Sequence, residues 1–305
     1  MIQKIFKNKY SVVFLALLVS VLWGSLFSVI KIGYREFDIS SKDVWAILLF
    51  AGLRFTLSGV LLVGEETVRE KKLRLPVGDE FNKIFIVSLF TVIIHYAFTY
   101  TALSLCDSSK SAVLKQIGFL FVPCVMFMIR KDEEFSIYKV IAGILGFVSV
   151  IVINLDGMNF IFGIGELIVI LASFSSVTGQ IISKNVYDRY HPARVVAYSQ
   201  LIGGLVLMGM GYMLGGRITV WTISSVAVLL YICAASIVAN LIWNTLIKYN
   251  DMSKLSVLKS ADPIFASAFS ATLLGENIFK KEFVIAICLV VSAILISNIS
   301  KQYKK

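Results

Sequence analysis

The chain has 305 residues, 58% of them hydrophobic and only 16% charged, with a mean hydropathy of +0.84. A soluble globular domain does not carry that balance, so lipid is the expected solvent. The net charge of +10 would suit a nucleic-acid partner, but no basic run is interleaved with exposed aromatics, and no such partner is expected.

The apolar residues fall into runs bounded by charges. Ten of them pass or approach the roughly 20 residues that a helix needs to cross about 30 Å of hydrocarbon. In chain order they are Tyr10–Ile30, Val44–Gly64, Ile84–Cys106, Ser111–Ile129, Val140–Leu155, Leu167–Ser183, Val195–Gly216, a span within Ile218–Ile247, Leu255–Gly275 and Phe283–Ser300. The fifth and sixth are short. None shows the period-2 alternation of a barrel strand, and an open backbone in lipid would leave its polar groups unpaired, so the expected class is all-α integral membrane. The first run is too long for a signal-peptide core and no small-residue cleavage site follows it, so it is expected to be retained as the first span. Cys106, Cys124, Cys233 and Cys288 sit singly, without metal-ligand or redox spacing, and read as packing residues.

With alternating spans, 19 of the 29 basic residues fall in the loops of one side and 6 in those of the other. By the positive-inside rule both termini are expected at the cytoplasmic face of the cell membrane. A faint repeat supports a two-part build: Val113-Leu114-Lys115 recurs as Val257-Leu258-Lys259, Ile141-Ala142 as Ile285-Ala286 and Asn154 as Asn298, all at an offset of 144. Halves of five spans, 1–155 and 156–305, would enter the membrane from opposite sides, since five is odd, and so form inverted repeats.

Several segments resemble the EamA branch of the drug/metabolite transporter superfamily. The first span carries Trp23-Gly24-Ser25 followed by Lys31, and the second carries Arg54-Phe55. The third ends in Tyr100-Thr101-Ala102-Leu103-Ser104, and the ninth has Pro263 followed by Gly275-Glu276. The first half departs from this pattern: Pro123 sits one turn later than Pro263 would predict, and Arg130-Lys131-Asp132-Glu133-Glu134 stands where a Gly-Glu would fall. The resemblance implies ten helices around a central cavity, alternating access, and export of amino acids or related metabolites.

Ionisable groups at membrane depth are costly, so each is a candidate functional residue. Lys115 and Lys259 lie about 7 Å into their helices at about 1.5 Å per residue; they can snorkel to the interface or stand one near each gate and meet an anionic group. Asp262 cannot snorkel far, lies three residues from Lys259 and directly precedes Pro263, which removes a backbone donor and should kink or open the ninth span beside the charges. His95 shares a stripe with Ser88, Thr91 and Thr99 and reads either as a proton carrier or as a hydrogen-bonded structural histidine. Ser173, Ser176 and Gln180 form one polar face, and Ser236, Asn240 and Asn244 another; interhelical hydrogen bonding explains both as well as a binding role does. Arg54, with ten uncharged residues on either side, must be paired or face water, and as part of the family pattern it reads as structural. Trp23, Tyr96, Tyr100 and Trp243 could line a cavity or simply pack. The seventh span, with Gly203, Gly204, Gly209, Gly211, Gly215 and Gly216, reads as a close-packing or hinge element.

No phosphate-binding Gly-Lys-Ser/Thr loop is present and the loops are too short for a nucleotide-binding domain, so the expected function is a secondary transporter of a small molecule, without cofactor. Asp262 and His95 are the candidate proton-coupling groups, and Pro123 and Pro263 the candidate helix breaks. The alternatives are an intramembrane enzyme, poorly served by two histidines, and a non-transporting scaffold or receptor.

Overall fold

The computed structural model describes residues 2–40, 42–105, 115, 118, 122, 136–153, 163–275 and 281–299. Helices α1 (Ile2–Lys7) and α2 (Lys9–Glu36) meet at Asn8, whose side chain accepts from the Tyr10 and Ser11 amides and so restarts the helix at the edge of the first apolar run. Asp43 caps α3 (Val44–Glu70) in the same manner. The third span is α4 (Asp79–Ser88), a π turn (Leu89–Ile93) and α5 (Ile94–Leu105) in unbroken succession.

The second half follows α6 (Ile137–Ile153) with α7 (Ile164–Val186), α8 (Pro192–Met213) and α9 (Ile223–Tyr249). His191 and Pro192 start α8, and a Thr222–Ser225 capping box starts α9. The ninth apolar run is broken into α10 (Met252–Leu258), a 3₁₀ turn (Lys259–Ala261) and α11 (Asp262–Leu274), which Gly275 ends in the left-handed conformation. Helix α12 (Lys281–Ile299) closes the described chain.

The architecture is all-helical, and six of the helices among the described residues are long and apolar enough to cross a membrane. The expected fourth span lies outside the described residues except for Lys115, Gly118 and Val122, as do Pro123, Cys106, Cys124, the 130–134 charge run, Asn154 and Glu276. The sixth span, short by its apolar run, is a 23-residue helix; Glu166 folds back on the Gly163 amide at its start, and near its end Lys184 reaches the Asn250 carbonyl.

Helices α3 and α8 pack at backbone distance. A Cβ placed on Gly52 would stand 2.1 Å from the Met208 nitrogen, and one on Gly59 2.4 Å from the Leu201 nitrogen; on the facing helix Gly204 meets Thr56 at 2.3 Å and Gly211 meets Leu49 at 2.5 Å. Numbers rise along α3 as they fall along α8, so these two helices, second and seventh in the order of apolar runs, are antiparallel. Two halves of opposite insertion require that relation. The same exchange of halves relates two further contacts: α2 packs on α9, and α5 on α7. Lipid offers no hydrophobic drive for helix association, so close van der Waals contact through small residues is what holds such a crossing together. Of the seventh span's glycines, Gly209 and Gly215 meet nothing and take no part.

Candidate functional site

The two irregular turns face the same space. The π turn re-aims the third span so that Thr91, Val92 and His95 border it, and the 3₁₀ turn presents Lys259, Asp262 and Pro263 from the ninth. Non-helical turns at membrane depth are tolerated where they line a cavity, and π turns recur at functional sites. The cavity measures about 130 Å³, comparable to the ~150 Å³ cavities that take up a benzene-sized molecule.

Trp23, His95, Lys115, Gln180, Asn240, Lys259, Asp262 and Pro263 all border this cavity, and Pro123 lies outside the described residues. Lys259 donates to Asp262 Oδ2 at 2.7 Å, and both are buried. Its ammonium also stands 3.6 Å from the centre of the Trp23 ring and 4.9 Å from that of Trp243, the two indoles meeting edge to face. Gly24 permits this: a Cβ there would lie 2.7 Å from Phe265 Cβ, so the Trp-Gly pair of α2 lets α11 close against it and sets Trp23 over the lysine.

Trp243 donates through Nε1 to Gln180 Oε1 (2.9 Å), and Gln180 donates in turn to Ser176 (3.1 Å). Asn240 and Asn244 donate to the carbonyls a turn before them, and Asn244 Oδ1 accepts from Tyr187 at 2.5 Å. Ser173 departs from the polar face it shares with Ser176 in the sequence: its hydroxyl engages the Lys115 carbonyl and the Gly118 amide. His95 donates from Nδ1 to the Ala172 carbonyl at 2.9 Å, since a carbonyl can only accept, which fixes the orientation of the ring. The Lys115 ammonium stands 5.5 Å from the Phe27 ring centre and 6.0 Å from that of Tyr96.

Arg54, which reads as structural in the sequence, also borders the cavity. It is 1% exposed and donates to Tyr100 (2.6 Å) and, through Nε and Nη2, to Ser236 (3.0 and 2.6 Å). Its isolation amid ten uncharged residues on each side was the available signal. Tyr187, Asn244 and Gln200 complete the polar wall. Gln200 carried no signal, since a lone glutamine in an apolar run does not disclose which way it faces.

Buried polar atoms normally find partners. Around this cavity Asp262 Oδ1, Trp23 Nε1, Thr99 Oγ1 and both polar atoms of Gln200 have none among the described residues. A solvated or ligand-filled space is the environment such groups require.

A charge cluster ties the helices together on the side where α8 starts. Arg194, at the start of α8, donates to Glu80 (2.6 Å), Glu66 (3.0 Å) and the Arg74 carbonyl (2.8 Å), which also accepts from Tyr198. On the same side Lys139 pairs with Asp251, Lys184 reaches the Asn250 carbonyl, and Asn250 reaches Phe6. At the opposite ends of these helices the contacts are aromatic, with Phe37 against Phe50 and Trp221.

The chain belongs to the EamA-like transporter family, whose model matches twice, over residues 10–155 and 163–298. It is a multi-pass membrane protein of transporter class. It is 27% identical to a protein of Escherichia coli named "Probable amino-acid metabolite efflux pump", over 95% of this chain and 96% of that one. It is 25% identical to an uncharacterized transporter of Archaeoglobus fulgidus, over 88% and 90% of the respective chains. One solved crystal structure shares the fold, with a TM-score of 0.77 at 17% identity, over 98% of this chain and all of the other.

Proposed function

We propose that this chain is a secondary transporter that moves a small metabolite across the cell membrane by alternating access, in the export direction, with both termini cytoplasmic. In this reading 1–155 and 156–305 are its two halves and the cavity is its substrate site. Asp262 and Lys259 form a switch beside the break at Pro263, with His95, Gln180, Asn240, Trp23 and Lys115 as the surrounding wall. The observation that carries the reading is the Lys259–Asp262 pair on an interrupted helix, facing polar groups that have no partner among the described residues. The amino-acid efflux name of the Escherichia coli relative supports export of an amino acid or related compound.

A proton is the coupling ion in this scheme. Protonating Asp262 would release Lys259, and the released ammonium and the neutral acid present a different cavity to each side. Purified protein in sealed vesicles should then carry substrate in response to a pH gradient, and Asp262→Asn should bind substrate but lose gradient-driven movement. Gradient-driven flux that survives Asp262→Asn would remove this residue from the coupling step. The absence of flux for any amino acid or related metabolite would favour a receptor or scaffold instead.

A further inference from the structure

We propose that the cavity selects small organic anions of net negative charge, with Lys115 and Arg54 holding the substrate carboxylate. The proposal deepens the transporter reading and rests on it for the statement that the bound molecule is cargo.

Among the described residues bordering the cavity, three formal cations, Arg54, Lys115 and Lys259, face one carboxylate, Asp262. Lys259 consumes that carboxylate's Oδ2 at 2.7 Å. The guanidinium of Arg54 has only neutral oxygen partners, the hydroxyls of Tyr100 and Ser236. The ammonium of Lys115 has the faces of Phe27 and Tyr96. Among the described residues neither of these two cations makes an ion pair, and the one carboxylate near Lys115 is already bonded to Lys259; unpaired cations at membrane depth persist at functional sites and are otherwise removed.

The two cations border the same cavity and stand near the same ring: the Tyr96 ring centre is 5.7 Å from the Arg54 guanidinium carbon and 6.0 Å from the Lys115 ammonium. The negative face of an aromatic ring attracts a cation but gives less than a carboxylate does, so an arriving anion finds both cations held in place and, among the described residues, without an ion pair. A guanidinium suits a planar carboxylate and an ammonium adds a movable point charge. A cationic substrate would meet an excess of like charge and an acid already bonded to Lys259.

The lysines at 115 and 259 stand over Phe27 and Trp23, one turn apart on α2. The two sequence-repeated cations thus share one helix face but differ in state: the second is ion-paired to Asp262 and the first makes no ion pair among the described residues. That difference makes Lys115 the receiving residue.

The test measures thermal stabilisation of the purified full chain at constant ionic strength. The probes are succinate and glutamate as net anions, leucine as a zwitterion, putrescine as a dication and sodium chloride as the reference. Succinate or glutamate should raise the melting temperature above the chloride reference, leucine less and putrescine not at all. The anion response should weaken with added salt. Lys115→Gln should lower the affinity for the stabilising anion at least tenfold, and Lys115→Arg should retain most of it.

Leucine or putrescine stabilising as well as either anion would overturn the proposal. So would the absence of any anion shift beyond chloride, or a Lys115→Gln protein with the wild-type response. If that variant does not fold, the ranking of probes on the wild-type protein decides alone. Flux in vesicles separates the two readings. A protein that binds anions and carries none sinks the transporter reading and leaves this one standing. A protein that carries leucine or putrescine and ignores anions does the reverse.

Discussion

Lys259 and Asp262 form a 2.7 Å ion pair across a single 3₁₀ turn, while the second oxygen of the same carboxylate has no partner among the described residues. The ammonium of the pair stands over the indoles of Trp23 and Trp243. Removing one member of a buried pair strands the other and costs about 3–5 kcal/mol, whereas removing both avoids that penalty. Asp262→Asn and Lys259→Met should each lower thermal stability, and the double variant should lose clearly less than the two losses added. A double-mutant cycle on melting temperature checks this; additive losses would mean that the contact contributes little.

The glycine contacts between α3 and α8 give a second outcome. Gly52→Ala must displace Met208 backbone from 2.1 Å, so the helices have to separate, at a cost of roughly 1–3 kcal/mol or more. Gly209→Ala, on the same α8, meets nothing within 4 Å and should keep or slightly raise stability, since alanine gains about 1 kcal/mol in helix propensity. Thermal unfolding of the two variants in detergent measures the contrast. Equal effects would show that α3 and α8 do not pack in this register.

These comparisons also mark what the sequence could disclose. Bilayer thickness and the cost of charge in lipid act locally, so the runs at Tyr10–Ile30 or Val44–Gly64 announce their helices unaided. The break at Lys259–Ala261 was legible for the same reason, because Pro263 acts on its own helix. Which face of a wholly apolar helix meets a neighbour is not a local property. Gly52 and Gly209 look alike until α3 and α8 are placed together, and Arg54 could be marked as needing a partner without indicating that it would border the cavity. Ser173 and Ser176 lie three residues apart, yet only Ser176 borders the cavity. The π turn at Leu89–Ile93 had no signal in Leu-Phe-Thr-Val-Ile.

Arg54 is fixed by three hydrogen bonds, one to Tyr100 and two to Ser236. A hydrogen bond to a charged group contributes about 1.5–3 kcal/mol. Tyr100→Phe removes one donor's partner and Ser236→Ala removes the partner of two, so the second should lower the melting temperature more than the first. Arg54→Lys offers a point charge in place of a fork and cannot meet both hydroxyls, so it should not restore wild-type stability. A Ser236→Ala protein as stable as the wild type would place the guanidinium elsewhere.

If the charge cluster at Arg194 restrains access to the cavity, its loss should be measurable. Arg194 links the end of α3 through Glu66, the start of α4 through Glu80 and the intervening loop through the Arg74 carbonyl. Its side chain and that of Glu66 are only 14% and 8% exposed, so solvent screens the contact weakly. Losing one charged hydrogen bond of about 1.5–3 kcal/mol shifts a two-state equilibrium at least tenfold, since each 1.4 kcal/mol is a factor of ten. In a chain with its four cysteines replaced, a single cysteine at Asn244 reports the cavity from this side. Arg194→Gln should speed its reaction with a membrane-impermeant maleimide added on the Arg194 side by about tenfold, and Glu80→Gln should act in the same direction. Unchanged labelling in both variants would show that these ion pairs do not restrict access from this side.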